Sequence, residues 1–259
     1  MALHKNLNFG VKEKEMEKPI KRELLLPDQC EALEGWERDC LEQYRHTLFE
    51  DNGSRFPCHL GIHAERAGWM RYGFFDGEYK HDISTLANTM RQYLGLARSI
   101  GRSTSYITFF NGPEYCTNGI GEAYELFWRI LNSLRKSDTA PWPEKIPYNV
   151  DNPSWEYCFN GEPMYIVCTT PHHKKRQSRY SRYFSIMFQP QWIFDDFLPE
   201  KKAGQAIRRE IRKRIASYDS VPRSVFFTEY GYEGNREWLQ YYIPDEDEKL
   251  ISKKCPLSN

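Results

Sequence analysis

Between Trp142 and Arg179 the chain reads WPEKIPYNVDNPSWEYCFNGEPMYIVCTTPHHKKRQSR, and no long helix fits through it. Pro143, Pro147, Pro153, Pro163 and Pro171 each remove a backbone donor and bias the preceding residue away from helix, so this stretch is extended or turning. Its one short apolar run, Met164 to Cys168, contains β-branched residues and reads as a buried strand. That strand ends in Thr169-Thr170-Pro171-His172-His173, followed by Lys174, Lys175, Arg176, Arg179 and Arg182. Hydroxyl, imidazole and guanidinium groups gathered at a strand end suit a reaction site or an anionic cofactor.

Helical and strand patterns alternate around this stretch. Asp28 with Glu31 reads as a capping box, and Leu33, Trp36, Cys40, Tyr44 and Leu48 continue at helical spacing until Asn52-Gly53. Further helices are expected over 84–99, where Gly101 closes the pattern, over 122–134, and over the basic segment 203–217. Strands are expected over 69–75, 106–110, 164–169, 184–188 and 225–230. The segment 138–153 is a long proline-rich loop whose tryptophan argues for order. This pattern predicts one α+β domain over 28–259, with a mixed or mainly antiparallel sheet packed with helices, behind a polar flexible arm over 1–27.

Composition excludes several functions. Lys plus Arg equals Asp plus Glu at 36 each, so no global field draws nucleic acid or anionic lipid. The cations of 203–217 oppose a stripe of Ile207, Ile211 and Ile215 and read as a solvated face. No apolar run approaches the ~20 residues that span a bilayer. Seven scattered Cys fit reduced thiols in a cytoplasmic protein better than a disulfide framework. Gly-x-Ser-x-Gly, Gly-x-Gly-x-x-Gly, Walker and His-Glu-x-x-His motifs are absent.

Three constellations carry possible chemistry, each with a purely structural alternative. Phe56-Pro57-Cys58-His59-Leu60-Gly61-Ile62-His63 offers sulfur and imidazole donors for a transition metal or heme iron, or else a small buried thiol and two surface histidines. Thr170-Pro171-His172-His173 with its basic tail offers an axial histidine and partners for carboxylates, or else a solvated turn. Trp155-Glu156-Tyr157-Cys158-Phe159-Asn160-Gly161-Glu162 sets carboxylates beside rings, which suits a cationic nitrogen, or else only a turn.

Phe56-Pro57-Cys58, Pro141-Trp142-Pro143 with Ile146-Pro147, and Asp151-Asn152-Pro153-Ser154-Trp155-Glu156 recur in a known family. So do Cys158-Phe159 with Gly161-Glu162-Pro163, Thr170-Pro171-x-His173 with Arg176 and Ser178-Arg179, Phe188-Gln189-Pro190, Tyr230-Gly231 and Asn235-Arg236-Glu237-Trp238. On these residues, from about Gln29 to Pro244, the chain resembles the YqcI/YcgG family, including its GntA-like and DcsA-like heme proteins. The resemblance implies a heme b-dependent monooxygenase that N-hydroxylates a guanidine or amine, with dioxygen and an external electron donor, and a homodimer is compatible with it. It also implies His173 as axial ligand, with Cys58 second and His59 third, and Arg176 and Arg179 at the heme propionates. Glu162, Glu156 and Trp155 would hold the guanidinium. The alternative is a heme-binding or heme-sensing protein without turnover.

Overall fold

The computed structural model of the protein describes residues 24–49, 55–197, 201–247 and 254–257, leaving aside the side chains of 195–208. Among the described residues, β1 (Met70–Phe75), β2 (Ser105–Phe110), β3 (Tyr157–Phe159), β4 (Glu162–Thr169) and β5 (Phe184–Pro190) form one sheet in the order β1-β2-β5-β4-β3. β1 and β2 are parallel and α3 (Tyr79–Ile100) makes the crossover, since parallel neighbours need a connection that returns along the sheet. Every other pairing is antiparallel. Asn160 and Gly161, at φ 53° and 75°, close the β3–β4 hairpin with the left-handed pair that a tight two-residue turn demands. The sheet is mixed, mainly antiparallel and packed with helices, which makes the domain α+β as its pattern predicts.

Helices cover the two faces unequally. On one face α3 and α4 (Ile120–Ser137) place Leu86, Met90, Phe127 and Leu131 against Tyr106, Phe110, Ile166, Ile186 and Phe188. Each large apolar side chain buried there contributes about 2 kcal/mol. On the other face α1 (Gly35–Phe49) and α2 (His59–Arg66) bring Cys40, Leu41 and Ala64 onto Tyr72, Phe74, Ile107 and Phe109, which belong to β1 and β2. β2, with helices on both sides, is buried at all six positions. β4 is not: its burial alternates, with Met164, Ile166 and Cys168 enclosed and Tyr165, Val167 and Thr169 half-exposed. α5 (Trp192–Phe197), α6 (Lys201–Tyr218) and α7 (Trp238–Tyr241) complete the described helices.

Several expectations change in detail. Asp28 has helical backbone angles and makes no side-chain cap, so Gln29–Ala32 is an isolated 3-10 turn and α1 starts at Gly35. The expected stop at Asn52-Gly53 lies outside the described residues, as does most of the 1–27 arm. Leu25, within that arm, is buried and exchanges two backbone hydrogen bonds with Tyr72 at the edge of β1. α3 begins earlier than expected, at Tyr79, and ends at Gly101, where a Cβ would stand 2.2 Å from the Trp69 ring. The segment 225–230 is not a strand. Its amides are captured locally instead: Val225 N–H donates to Asp247 and Phe226 N–H to Ser224 Oγ, leaving no ladder to form.

The proline-rich loop is ordered by its own side chains. Trp142 Nε1 donates to the Ile146 carbonyl, and Arg135 lies over the rings of both Trp142 and Tyr148. In α6 the exposed Arg209 and Lys213 oppose the buried Ile215, while Arg212 and Arg214 pair with Glu229 and Glu210. Ile207 and Arg208 have side chains outside the described set. No described helix is long and apolar enough to cross a membrane.

Candidate functional site

The half-exposed side of β4 is where buried chemistry meets solvent. Tyr165, Cys58 and Tyr44 are each half-buried, and the Cys58 thiol acts electrostatically on both phenols, so the three stand close together. Tyr165 stands between Phe194 on α5 and Tyr241 on α7, with ring centroids 5.6 and 6.0 Å away. Its phenol is raised above its ordinary pKa, first by burial and also by the Glu237 charge, while the Arg179 guanidinium pulls it down.

Arg179 reaches this place from a 3-10 turn, Gln177–Arg179, and is buried. One Nη donates to the Gln240 carbonyl at 3.3 Å, and the guanidinium carbon lies 5.6 Å from the Phe227 ring centre. Its Nε is buried with no hydrogen-bond partner, and among the described residues no carboxylate pairs with it. A buried cation left so weakly satisfied is costly unless something anionic joins it.

Cys58 caps α2, its sulfur accepting the Gly61 N–H at 3.4 Å. Burial raises the thiol pKa, while the Gly61 and Leu60 amides and Arg179 oppose that rise. Sulfur at a helix N-terminus beside a cation favours thiolate once a positive centre binds it.

Glu237 supplies the acid. It is 5% exposed, and its Oε2 accepts from Asn235 Nδ2 at 3.0 Å and Gln240 Nε2 at 3.2 Å. Those amides are themselves fixed, since Asn235 Nδ2 also donates to the Pro153 carbonyl, and Asn235 Oδ1 accepts from Thr228 and Gln240. Oε1 makes no hydrogen bond among the described residues. Burial pushes the carboxyl up to about 7, with the Asn235 bond opposing.

The expected residues distribute differently from the sequence reading. His173 is 1% exposed, and both its ring nitrogens are engaged: Nε2 with the Ile243 carbonyl at 2.9 Å and Nδ1 with Thr170 Oγ1 at 2.9 Å. A carbonyl only accepts, so Nε2 carries the proton and Nδ1 accepts from the hydroxyl. Burial holds the imidazole down at about 4, so it is neutral near pH 7. No nitrogen is left for iron unless one of these bonds breaks, so His173 does not fit an axial ligand in this arrangement.

Arg176 is equally occupied. It donates to the Pro244 and Pro222 carbonyls and to Asp247, with Asp219 at 3.8 Å. It has no free fork for a propionate. The turn around it is locked by Asp245, which accepts the backbone N–H of Lys174, Lys175 and Arg176. Burial alone would raise the Asp245 pKa, but those three donors hold it below the usual carboxylate range. His172 bonds Thr117 across 2.8 Å. His59 is half-buried and lowered in pKa by that burial and by Arg214, on the α6 side of the molecule.

The proposed substrate carboxylates fall elsewhere. Glu162 opens β4 and Thr169 closes it, so at ~3.3 Å per residue they stand roughly 23 Å apart along the strand. Glu162 pairs with Arg98 of α3 at 3.9 Å, on the face opposite Tyr165. Glu156 and Trp155 are fully buried beneath α7, where Trp155 neighbours Tyr241 at 6.4 Å and leaves its indole N–H unpartnered.

Neither Tyr165 nor Glu237 is marked as a site residue by the sequence pattern. The first was hidden in an apolar strand whose alternation was the available signal. The second stood in a quoted motif without a chemical role. Among the described residues no three His, Cys, Asp or Glu side chains converge to hold a metal ion, whereas heme needs only one protein donor and an anchor for its carboxylates.

Likeness in sequence to known proteins extends over nearly the whole chain. The Bacillus subtilis (strain 168) protein named "Uncharacterized protein YqcI" is 40% identical over 229 residues, 87% of this chain and 89% of that one. "Uncharacterized protein YcgG" of the same organism is 39% identical over 231 residues, covering 88% and 90%. A Streptomyces lavendulae protein named "Putative N(omega)-hydroxy-L-arginine synthase DcsA" is 29% identical over 242 residues, covering 91% and 89%. No solved structure matches. The family model for YqcI/YcgG matches residues 44–258, from α1 through Tyr165, Arg179 and Glu237 to the C-terminal segment, and the chain belongs to the YqcI/YcgG family.

Proposed function

We propose that this chain is an oxidoreductase that hydroxylates a nitrogen of a guanidine or amine, using heme b bound beside Tyr165. The observation that carries this reading is Arg179: a buried guanidinium with an unpartnered Nε and, among the described residues, no ion-paired carboxylate, near the half-buried Cys58 thiol. The nitrogen chemistry comes from the likeness to the Streptomyces lavendulae protein named for N(omega)-hydroxy-L-arginine synthesis.

Heme bound there would supply dioxygen activation and transfer of one oxygen atom to nitrogen, the second leaving as water with two electrons from an external donor. Cys58, rather than His173, would be the iron donor in this proposal, because its half-buried sulfur holds only the Gly61 N–H while both nitrogens of His173 are committed. Arg179 would anchor a propionate and so compensate its own buried charge. Tyr165, Phe194 and Phe227 would supply apolar walls that exclude water from the reacting nitrogen.

Hemin titration of the full chain tests the proposal. It should give a sharp Soret band at one site per chain and raise the unfolding temperature, and Cys58→Ser and Arg179→Met should each abolish the band. Loaded protein given arginine, reductant and oxygen should then yield a product one oxygen heavier on nitrogen. Absence of the band in the wild type overturns the heme assignment. A band without substrate-dependent reductant consumption replaces it with a heme-binding protein that does not turn over.

A further inference from the structure

Among the described residues near Tyr165, Glu237 is the acid whose carboxylate is held as a binding group. Two side-chain amides hold Oε2, those amides are pinned in turn to Pro153, Thr228 and each other, and Oε1 has no hydrogen bond among the described residues. Such an arrangement fixes the carboxylate plane and keeps one oxygen available, which is what a fork-shaped or ammonium donor needs. Glu237 acts electrostatically on both Tyr165 and Tyr241, and the half-exposed Tyr165 ring suits contact with a cation.

We propose that Glu237 holds the protonated nitrogen of the substrate, so that the ligand of this pocket is a guanidinium or ammonium compound and Glu237 determines that specificity. This rests on the nitrogen-hydroxylating reading only for the ligand class. Glu162 and Glu156 do not share this design. The first is on the α3 face with Arg98, and the second lies fully buried under α7.

The pocket also predicts how binding responds to pH. The titratable and charged groups near Glu237 are Tyr165 from β4, Tyr241 from its own helix, Arg179 beyond Tyr165, Cys58 from the cap of α2, and Glu156, which like Glu237 acts on Tyr241. Both phenols and the thiol are raised by burial and stay neutral between pH 6 and 8. Glu237, raised to about 7, ionises across that interval. A cation should therefore bind about tenfold more tightly at pH 8 than at pH 6, and release roughly half a proton at pH 7.

Calorimetric titration of the full chain with L-arginine, agmatine and the uncharged isostere L-citrulline decides the matter. Arginine or agmatine should bind with that pH dependence and proton release, citrulline should not, and Glu237→Gln should lose at least tenfold in affinity together with the pH dependence. Glu156→Gln should keep both. If Glu237→Gln fails to fold, proton release in the wild type still decides. Wild-type affinity in Glu237→Gln, loss in Glu156→Gln instead, or a wild type that binds no cation overturns the proposal. If cation binding behaves as described but hemin does not bind, the oxygenase reading falls and the role of Glu237 stands. If oxygenation proceeds unchanged in Glu237→Gln, the reverse holds.

Discussion

Arg176 and Arg179 stand one turn apart in the same basic segment, are both buried, and have opposite surroundings. Arg176 spends its guanidinium on two carbonyls and two aspartates, and the loop around it is closed by backbone bonds from Thr170 to Arg179 and Ser181. Arg179 has one carbonyl, the Tyr165 phenol, an aromatic face and an unused Nε. A fully satisfied buried cation is part of the scaffold, because nothing further can be gained by binding to it. An under-satisfied one marks the place where a ligand completes the structure. The family pattern contains both arginines, so only their partners distinguish them.

The comparison breaks most visibly on removal of either charge. Arg176→Met should destabilise the fold by about 3–5 kcal/mol in denaturant unfolding, because the buried Asp219 and the half-buried Asp247 would lose their cation. Arg179→Met should leave stability within about 1 kcal/mol or raise it, since a poorly compensated buried cation is exchanged for an apolar chain. Equal losses in both variants would show that the two sites do not differ in this way.

His173 sharpens the same contrast through pH. Its folded pKa is about 4 against an ordinary 6.5, so between these values the unfolded chain binds more protons and stability falls as pH is lowered. The loss should amount to roughly 3 kcal/mol by pH 4, attributable to this group. Glu237 has the reverse sign: raised to about 7, it favours the folded state at low pH and loses that contribution as pH rises through 7. His173→Gln should flatten the acid limb of the stability profile and leave the alkaline limb alone, as read from urea midpoints across pH 4 to 8.

The smallest effect belongs to Glu162. Glu162→Gln should change stability by less than ~1 kcal/mol, since its pairing with Arg98 is long and half-exposed, and guanidine binding should be unaffected. A tenfold loss of guanidine affinity would return Glu162 to the site.

The hydrophobic periods carried the larger elements because burial of one face imposes them. Tyr106 to Phe110, Met164 to Thr169 and Phe184 to Phe188 are strands with the extents their apolar runs indicate, give or take a residue or two. α2 was masked by its own chemistry, since Phe56-Pro57-Cys58-His59 reads as a ligand motif while Cys58 acts as the cap of a short helix. The segment 225–230 failed as a strand because β propensity needs a neighbour, and Asp247 and Ser224 took its amides first.

Sequence by itself determined the α+β class, the mixed sheet, the family and the segment that carries the basic cluster, because these follow from local pattern and from the order of residues along the chain. It could not determine which histidine, arginine or carboxylate meets solvent. Those choices depend on partners 60 to 85 residues away: Ile243 for His173, Pro244 and Asp247 for Arg176, Gln240 for Arg179, and Pro153 for the amide that anchors Glu237. Hydrogen-bond capacity is a property of the residue, but whether it is already spent is a property of the fold.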